Sequence, residues 1–362
     1  MDFAKQLHSI LENRARERKF SGAVLVKRGN EDLFKAAYGE ASKSWQIKNR
    51  TDTRFRIASI AKMFTAVATL QLIDANKLTL NTGIVECLEL QHTAVPKAVT
   101  VYHLLTMTSG IADWFDESGD VEEDWAALCR DHPIYLFRQN QDYLPLFLNK
   151  PPLLSVGQQH CYNNAGYILL GLAIEKLSGV SYFDYVRRHI FARAQMTRSD
   201  FLALDGVYDD VAEGYIPVTE TDTRGCEAIA GWRKNIYSAT PEAAADGGAT
   251  STVEDLCRFT EALRQGQLLS ADMTSAMLTP KVLEDDELFR GYIWKYGYGN
   301  YFLLDKQDQV IRWGHTGEEE GVSCRLYYYP KQNIDVILLG NQSNCAGELA
   351  WEIHDLMLET TL

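Results

Sequence analysis

Strand-like segments stand near the two ends of this 362-residue chain, with helical or irregular sequence between them, and that distribution limits the available folds more than any other feature. Ser21-Gly-Ala-Val-Leu-Val-Lys-Arg28, a turn at Gly29-Asn-Glu-Asp32 and the run Leu33 to Tyr38 predict an early hairpin. Late in the chain, Lys295 to Leu304, Gln309 to His315, Val322 to Tyr329 and Ile334 to Leu339 are β-rich and broken by Asp-Lys-Gln-Asp, Gly and Pro-Lys-Gln-Asn turns. Tight turns require antiparallel neighbours, and the early hairpin needs a partner sheet, so both ends are expected in one sheet.

Helical patterning fills the rest. Phe3 to Arg18 alternates apolar and charged residues at helical spacing, Ala58 to Leu78 is a strong helix, Tyr167 to Leu177 closes at Gly179, and Gly347 to Leu358 ends the chain as an amphipathic helix. Leu80 to about Gly231 reads as helix or irregular loop, including His103-Leu-Leu-Thr-Met-Thr-Ser-Gly110. The expected fold is therefore α/β (α+β). Residues 1–58 and 240–362 form an antiparallel-sheet domain flanked by helices, 59–239 an inserted, mainly helical domain, and the active site lies in the cleft between. The acidic stretch Asp113 to Asp124 reads as a solvated loop.

With 46% hydrophobic and 23% charged residues, the chain has the composition of a globular protein with a sizeable core. Its formal charge of -13 repels phosphate backbones and anionic headgroups, which argues against nucleic-acid and membrane partners. The N-terminal residues lack an apolar signal segment, and no stretch approaches the ~18 apolar residues of a membrane span, so a cytoplasmic location is expected. The seven cysteines (Cys87, Cys129, Cys161, Cys226, Cys257, Cys324, Cys345) are scattered and form no C-x-x-C pair. They read as buried thiols in a reducing compartment rather than as a disulfide or zinc framework.

Three short motifs can carry chemistry. Ser59-Ile-Ala-Lys62 is the one S-x-x-K in the sequence, and its spacing places both side chains on one helical face. A helix N-terminus favours an oxyanion formed beside Ser59. The neighbours Ile60, Ala61, Met63, Phe64, Val67 and Leu70 make the helix apolar almost all round, which buries Lys62 and pushes it towards the neutral amine that a base requires. An N-cap serine beside a surface lysine is the commoner meaning of S-x-x-K, but burial argues against it here. Tyr162-Asn-Asn164 precedes a helix, where the tyrosine can relay a proton and an asparagine can either orient a substrate amide or cap the helix. Tyr298-Gly-Asn300 shares the pattern but falls in a strand-like run. His315-Thr-Gly317 ends a β-rich segment, where Gly317 would let a ligand lie against the strand with Thr316 and His315 to hydrogen-bond it; a hairpin turn with an incidental histidine is the plainer reading. Neither Gly-x-Ser-x-Gly nor His-Glu-x-x-His occurs.

In this order and with their flanks, the motifs resemble the serine β-lactamase and D,D-peptidase superfamily, closest to its class C β-lactamase, D-alanyl-D-alanine carboxypeptidase and esterase branch. Those flanks are Phe55-Arg-Ile-Ala-Ser-Ile-Ala-Lys-Met-Phe64, Leu104-Leu-Thr-Met-Thr-Ser-Gly-Ile111, Tyr162-Asn-Asn-Ala-Gly-Tyr-Ile-Leu-Leu-Gly171 and Gly247-Gly-Ala-Thr-Ser-Thr-Val-Glu-Asp-Leu256. The resemblance covers nearly the whole chain. It implies a Ser59 acyl-enzyme, with Lys62 and Tyr162 sharing acid and base roles, Asn164, His315, Thr316 and Gly317 binding substrate, and the backbone N–H groups of Ser59 and Glu318 as the oxyanion hole. It implies no cofactor and no metal. Substrates would be small esters, amides or peptides; D-aminopeptidase and D,D-carboxypeptidase or β-lactamase activities are alternatives, as is a penicillin-binding sensor that acylates without turnover.

Two positions depart from that family's pattern. His315 stands where class C β-lactamases carry lysine, and Glu318, Glu319 and Glu320 follow Gly317 where small or hydroxylated residues are usual. Three carboxylates in a partly dry cleft would repel a substrate carboxylate by roughly 1–4 kcal/mol per close pair. The expectation is a preference for neutral esters or amides, or for substrates with a free amine, over β-lactams and D-Ala-D-Ala peptides.

Overall fold

Two apolar strands from opposite ends of the chain, covered on both faces, meet in the main sheet. The computed structural model describes residues 3–115, 121–221 and 227–360. Its main sheet contains Gly22–Arg28 (β1), Glu31–Tyr38 (β2), Val282–Leu283 (β3), Ile293–Tyr296 (β4), Tyr301–Leu304 (β5), Val310–Glu319 (β6), Val322–Tyr329 (β7) and Ile334–Gly340 (β8). The order is β2-β1-β8-β7-β6-β5-β4-β3, antiparallel throughout. β1 meets β8 in unbroken register from Gly22 opposite Gly340 to Arg28 opposite Ile334. Every residue of β8 is buried, as a strand covered on both faces must be.

Each face has its own core. Val24, Val26, Val336 and Leu338 pack with Phe3, Leu7 and Leu11 of the helix Phe3–Arg16 (α1) and with Leu349 and Ile353 of the last helix. Ala23, Leu25, Ile337 and Leu339 point the other way, into the large core shared with the helices Lys62–Asp74 (α2), Asn164–Ser178 (α3) and Val253–Arg264 (α4); the last helix, Gly347–Glu359, is α5. The alternation that sends neighbouring residues to opposite faces thus serves two helical layers. α2 is buried almost all round, and Phe64 on it meets Phe259 of α4 and Phe191 edge-on at centroid distances of 4.8 and 5.2 Å.

Several local expectations change. The run Lys295 to Leu304 is two strands, because Gly299 adopts φ +69° in the turn between β4 and β5. Tyr215–Thr221 and Glu227–Lys234 pair as a hairpin inside the stretch read as helical or irregular. Four successive residues ending the first of these strands are exposed, so no apolar alternation marked it. Asp113 is not part of a solvated loop, since its carboxylate caps α3; of the acidic run it opens, residues 116–120 lie outside the described residues. Cys257, Cys324 and Cys345 are buried thiols, but Cys87 and Cys161 are half-buried and Cys129 is exposed; Cys226 lies outside the described residues. Among the described residues no helix is long and apolar enough to cross a membrane.

Phe64 is fully buried where α2, α4 and Phe191 meet. Phe64→Ala should lower the unfolding free energy by about 3–5 kcal/mol, read from urea denaturation with an unchanged slope.

Candidate active site

Backbone contacts from two distant segments shape the chain around Ser59. Phe55 and Arg56 pair with Ser251 and Thr250, Ile57 N–H donates to Ala249 O at 2.8 Å, and Gly248 N–H donates to Ala58 O at 3.2 Å. The chain then bends at Ala58, whose φ of +45° costs a non-glycine residue roughly 1–3 kcal/mol. It enters a 3₁₀ turn, Ala58–Ala61, that runs directly into α2. β6 closes the other side. A Cβ on Gly317 would lie 2.2 Å from Ile57 O, so the missing side chain makes room for the serine-bearing turn and not, as expected, for a ligand.

Lys62 has no solvent exposure. Its Nζ lies 2.9 Å from Ser59 Oγ, and donates to Asn164 Oδ1 at 2.7 Å and to Asp246 O at 2.6 Å. The last two partners are carbonyl oxygens that can only accept, so they fix two N–H directions and aim the nitrogen's third position at Ser59. Tyr162 Oη lies 2.8 Å from the same Ser59 Oγ, and its ring centroid is 4.8 Å from Lys62 Nζ. Ser59, Lys62, Tyr162 and Asn164 are therefore brought together, as the spacing of the motifs led one to expect.

The open choice between Asn163 and Asn164 is resolved by position. Asn163 caps α3, its Oδ1 accepting from Gly166 N–H at 2.7 Å, while Asn164 turns its side chain to Lys62. Asp113 fixes this arrangement by accepting from the N–H groups of Asn164 at 2.6 Å and Ala165 at 2.8 Å. Burial pushes the Asp113 carboxyl up to about 7, against the lowering effect of those N–H groups. The adjacent Trp114 donates its indole N–H to Asp246 Oδ2 at 2.9 Å. Sequence reasoning missed both Asp113 and Asp246. Asp246 adjoins the recognisable Gly247-Gly248, but its contribution to Lys62 is a backbone carbonyl, which leaves no mark in residue type.

Tyr298-Gly-Asn300 takes no part in the cluster. It forms the β4–β5 turn, with Tyr298 edge-on to Tyr102 and Asn300 donating to Met277 O at 3.1 Å. The reason for setting it aside was its strand-like sequence, whereas the structure makes it a packing turn.

His315 is fully buried on β6. Its Nδ1 lies 2.6 Å from the carbonyl of Thr316, which can only accept, so Nδ1 carries the proton and Nε2 accepts from Tyr296 Oη at 3.2 Å. Burial, with a lesser contribution from Lys62, lowers its pKa to about 3. The position is thus an uncharged imidazole. Its ring centroid stands 6.5 Å from that of Tyr162.

The three glutamates after Gly317 are not an open row of negative charge. Glu318 Oε1 sits 2.5 Å from Arg325, Glu319 Oε1 is 2.5 Å from the guanidinium of buried Arg56, and Glu320 Oε2 accepts from Ser343 Oγ at 2.9 Å. Each has its own partner, which removes the expected repulsion at this point. Acidity enters the site elsewhere. A cavity of about 630 Å3 opens beside Tyr162 and Thr316, and its walls include Glu284, Asp285 and Glu287 together with Trp294 and Tyr301. Among the described residues no group of three or more His, Cys, Asp or Glu side chains is placed to hold a metal ion.

A helix-borne serine flanked by a buried lysine and a tyrosine, at the junction of an antiparallel sheet and a helical layer, is the arrangement of the β-lactamase-fold serine hydrolases. The chain belongs to the family described as beta-lactamase, which matches residues 7–355. It is similar to penicillin-binding protein 4* of Bacillus subtilis, with 27% identity across 93% of this chain and 72% of that protein. A shorter stretch, 120 residues covering 32% of this chain and 30% of its relative, is 36% identical to esterase EstB of Burkholderia gladioli. Among solved structures, a penicillin-binding protein from Bacillus halodurans superposes with a TM-score of 0.85 at 36% identity, covering 97% of this chain and 99% of the other. The family and its relatives support a hydrolase, and the fold expected from the motifs is the one found.

Two outcomes follow from this geometry. A methyl at Gly317 collides with Ile57 O, so Gly317→Ala should displace the Ser59 turn and slow labelling by a serine-reactive fluorophosphonate by about 100-fold, with the far-UV circular dichroism retained. The histidines give a pH dependence. His315, lowered to about 3, and His160 and His354, each lowered to about 4, are uncharged when folded but take a proton near their ordinary 6.5 when unfolded. Their contribution is complete above about pH 6.5 and is lost as the pH falls towards 3–4. The raised carboxyls of Asp113 and Glu284, each at about 7, act in the opposite sense over the same range, so the histidine contribution is read as a difference: from pH 7 to pH 5 the urea midpoint should fall further, or rise less, in the wild type than in His354→Gln.

Proposed function

We propose that the protein hydrolyses small esters or amides through an acyl-enzyme on Ser59. The observation that carries this reading is the placement of Ser59 Oγ between Lys62 Nζ at 2.9 Å and Tyr162 Oη at 2.8 Å, with Lys62 shut away from water. In the neutral amine the position aimed at Ser59 is a lone pair, which can take the hydroxyl proton as the oxygen attacks a substrate carbonyl. Tyr162, in contact with the same oxygen, is placed to pass a proton to the departing alcohol or amine. Water then attacks the ester on Ser59 with the proton movements reversed. Lys62 and Tyr162 both touch the nucleophile, so either can act first.

The remaining roles follow the same logic. The backbone N–H groups of Ser59 and Glu318 are assigned to the oxyanion, because β6 runs alongside the Ser59 turn at Gly317. Asn164 divides its amide between Lys62, through Oδ1, and substrate, through its N–H2 group. Thr316 lines the cavity and supplies a hydroxyl. A lysine at the position of His315 would attract a substrate carboxylate, whereas an uncharged imidazole does not. That absence of positive charge supports substrates lacking a carboxylate next to the scissile bond, a preference that no longer rests on Glu318, Glu319 and Glu320.

A second reading is favoured by the name of the Bacillus halodurans structure: penicillin acylates Ser59 once and leaves slowly. The two separate in one experiment. On a panel of p-nitrophenyl esters, D- and L-amino-acid anilides and a chromogenic cephalosporin, steady turnover of esters or anilides is expected, and Ser59→Ala should remove it by at least about 10³-fold. Tyr162→Phe should lower kcat by about 10²–10⁴-fold with little change in KM. A single equivalent released from the cephalosporin, with no steady turnover of anything else, would establish the sensor instead. Full activity in Ser59→Ala would sink the mechanism.

A further inference from the structure

The cavity that starts at Tyr162 and Thr316 has a far wall of a different character. Glu284, Asp285 and Glu287 line it from the segment between β3 and β4. Glu284 is half-buried, and among the described residues none of the three carboxylates has a lysine, arginine or histidine nitrogen within 4.0 Å. Two buried carboxylates elsewhere in the chain are treated differently: Glu319 faces Arg56 and Asp335 takes both guanidinium N–H2 groups of Arg264. Burial, with a smaller contribution from Asp285, raises Glu284 to about 7.

Three further features point to what would compensate it. Trp294 and Tyr301 line the same cavity with their rings edge-on at 5.9 Å, offering π-faces. His160, also in the lining, has a buried Nε2 with no hydrogen-bond partner among the described residues. Burial lowers its pKa to about 4, so the His160 side of the cavity adds no positive charge at neutral pH. Among the described residues, no lysine or arginine lines the cavity.

We infer that this cavity receives a cationic group of the substrate, a primary ammonium or a guanidinium, with Glu284, Asp285 and Glu287 as its counter-charge and Trp294 and Tyr301 as its aromatic walls. The inference rests on the reading of Ser59 as the nucleophile of a small-molecule hydrolase, and it names the class of substrate: esters or amides that carry positive charge on the part lying beside Tyr162. The acidic wall and the uncharged His315 then act together. One attracts a cation, and the other withholds the positive charge that an anionic substrate would need.

The test separates binding from turnover. 2-Phenylethylammonium and its neutral counterpart 2-phenylethanol are titrated against the wild-type protein by calorimetry. The ammonium should bind about 10-fold more tightly, with the difference shrinking in 0.5 M salt. It should fall to near unity in Glu284→Gln/Asp285→Asn/Glu287→Gln, and partly so in the single exposed variant Glu287→Gln, which guards against misfolding of the triple variant. For p-nitrophenyl esters with and without an amino group, the amino ester should have the lower KM in wild type, and the triple variant should lose that advantage with kcat little changed. Equal binding of ammonium and alcohol, or a preference that survives in the triple variant, overturns the inference. Tight binding of the ammonium with no hydrolysis of any ester or anilide would instead overturn the hydrolase reading while leaving the cation site standing.

Discussion

A lysine without solvent exposure must find polar partners or give up its charge, and much of this site is built around how Lys62 meets that requirement. Its two carbonyl partners come from far apart in sequence, Asn164 at the start of α3 and Asp246 just before the Gly247-Gly248 turn. Each is held by something else. Asp113 fixes Asn164 by taking backbone N–H groups at the start of α3, and Trp114, its neighbour, holds the Asp246 side chain. Two adjacent residues therefore set both acceptors, and through them the direction in which the Lys62 nitrogen faces Ser59. Removing any one of these supports would leave a buried polar group unmatched, which is why the arrangement is best understood as a unit.

Electrostatics in the cleft follow from pairing more than from composition. The chain carries a formal charge of -13, yet the negative residues nearest Gly317 are matched by Arg325, Arg56 and a serine hydroxyl. Carboxylates with no cationic partner among the described residues stand instead on the β3–β4 segment. His315 adds nothing positive, because a neighbouring carbonyl fixes its proton on Nδ1 and burial keeps it there. The field felt by a substrate is thus set by which charges lack partners.

Much of this was legible in the sequence, and the limits have physical causes. The two-ended sheet followed from the placement of β-rich runs and the pairing of Ser59 with Lys62 from spacing, because period and helical face are local properties of residue order, whereas Tyr162 came from the resemblance of the ordered motifs to a known family. Asn164 was found with its alternative role still open, since both asparagines can cap and only the three-dimensional path assigns Asn163 to that task. Asp113, the Asp246 carbonyl and the partners of Glu318 and Glu319 were not found. All but the Glu318–Arg325 pair, which crosses between neighbouring strands, depend on a contact across tens or hundreds of residues, and a carboxylate in a sequence reads as solvated until its partner is known. Gly317 shows the same limit from another side: its need for space was clear, but the occupant, Ile57, was not.

The joining of β1 to β8 has a consequence for how the molecule comes into being. β1 lies near the start of the described chain and its partner strand some 300 residues later, so at ordinary rates of synthesis the early hairpin waits on the order of tens of seconds for its neighbour. Through that interval one edge of β1 is an unpaired, apolar template open to any other strand. β6, which closes the Ser59 turn, also emerges late, followed by β7, β8 and α5. Partly made chains therefore contain the serine and the lysine without the surface that holds them in place. On the mechanism proposed for Ser59, the capacity for chemistry arrives with the last strands, which would leave an unfinished chain silent rather than indiscriminately reactive.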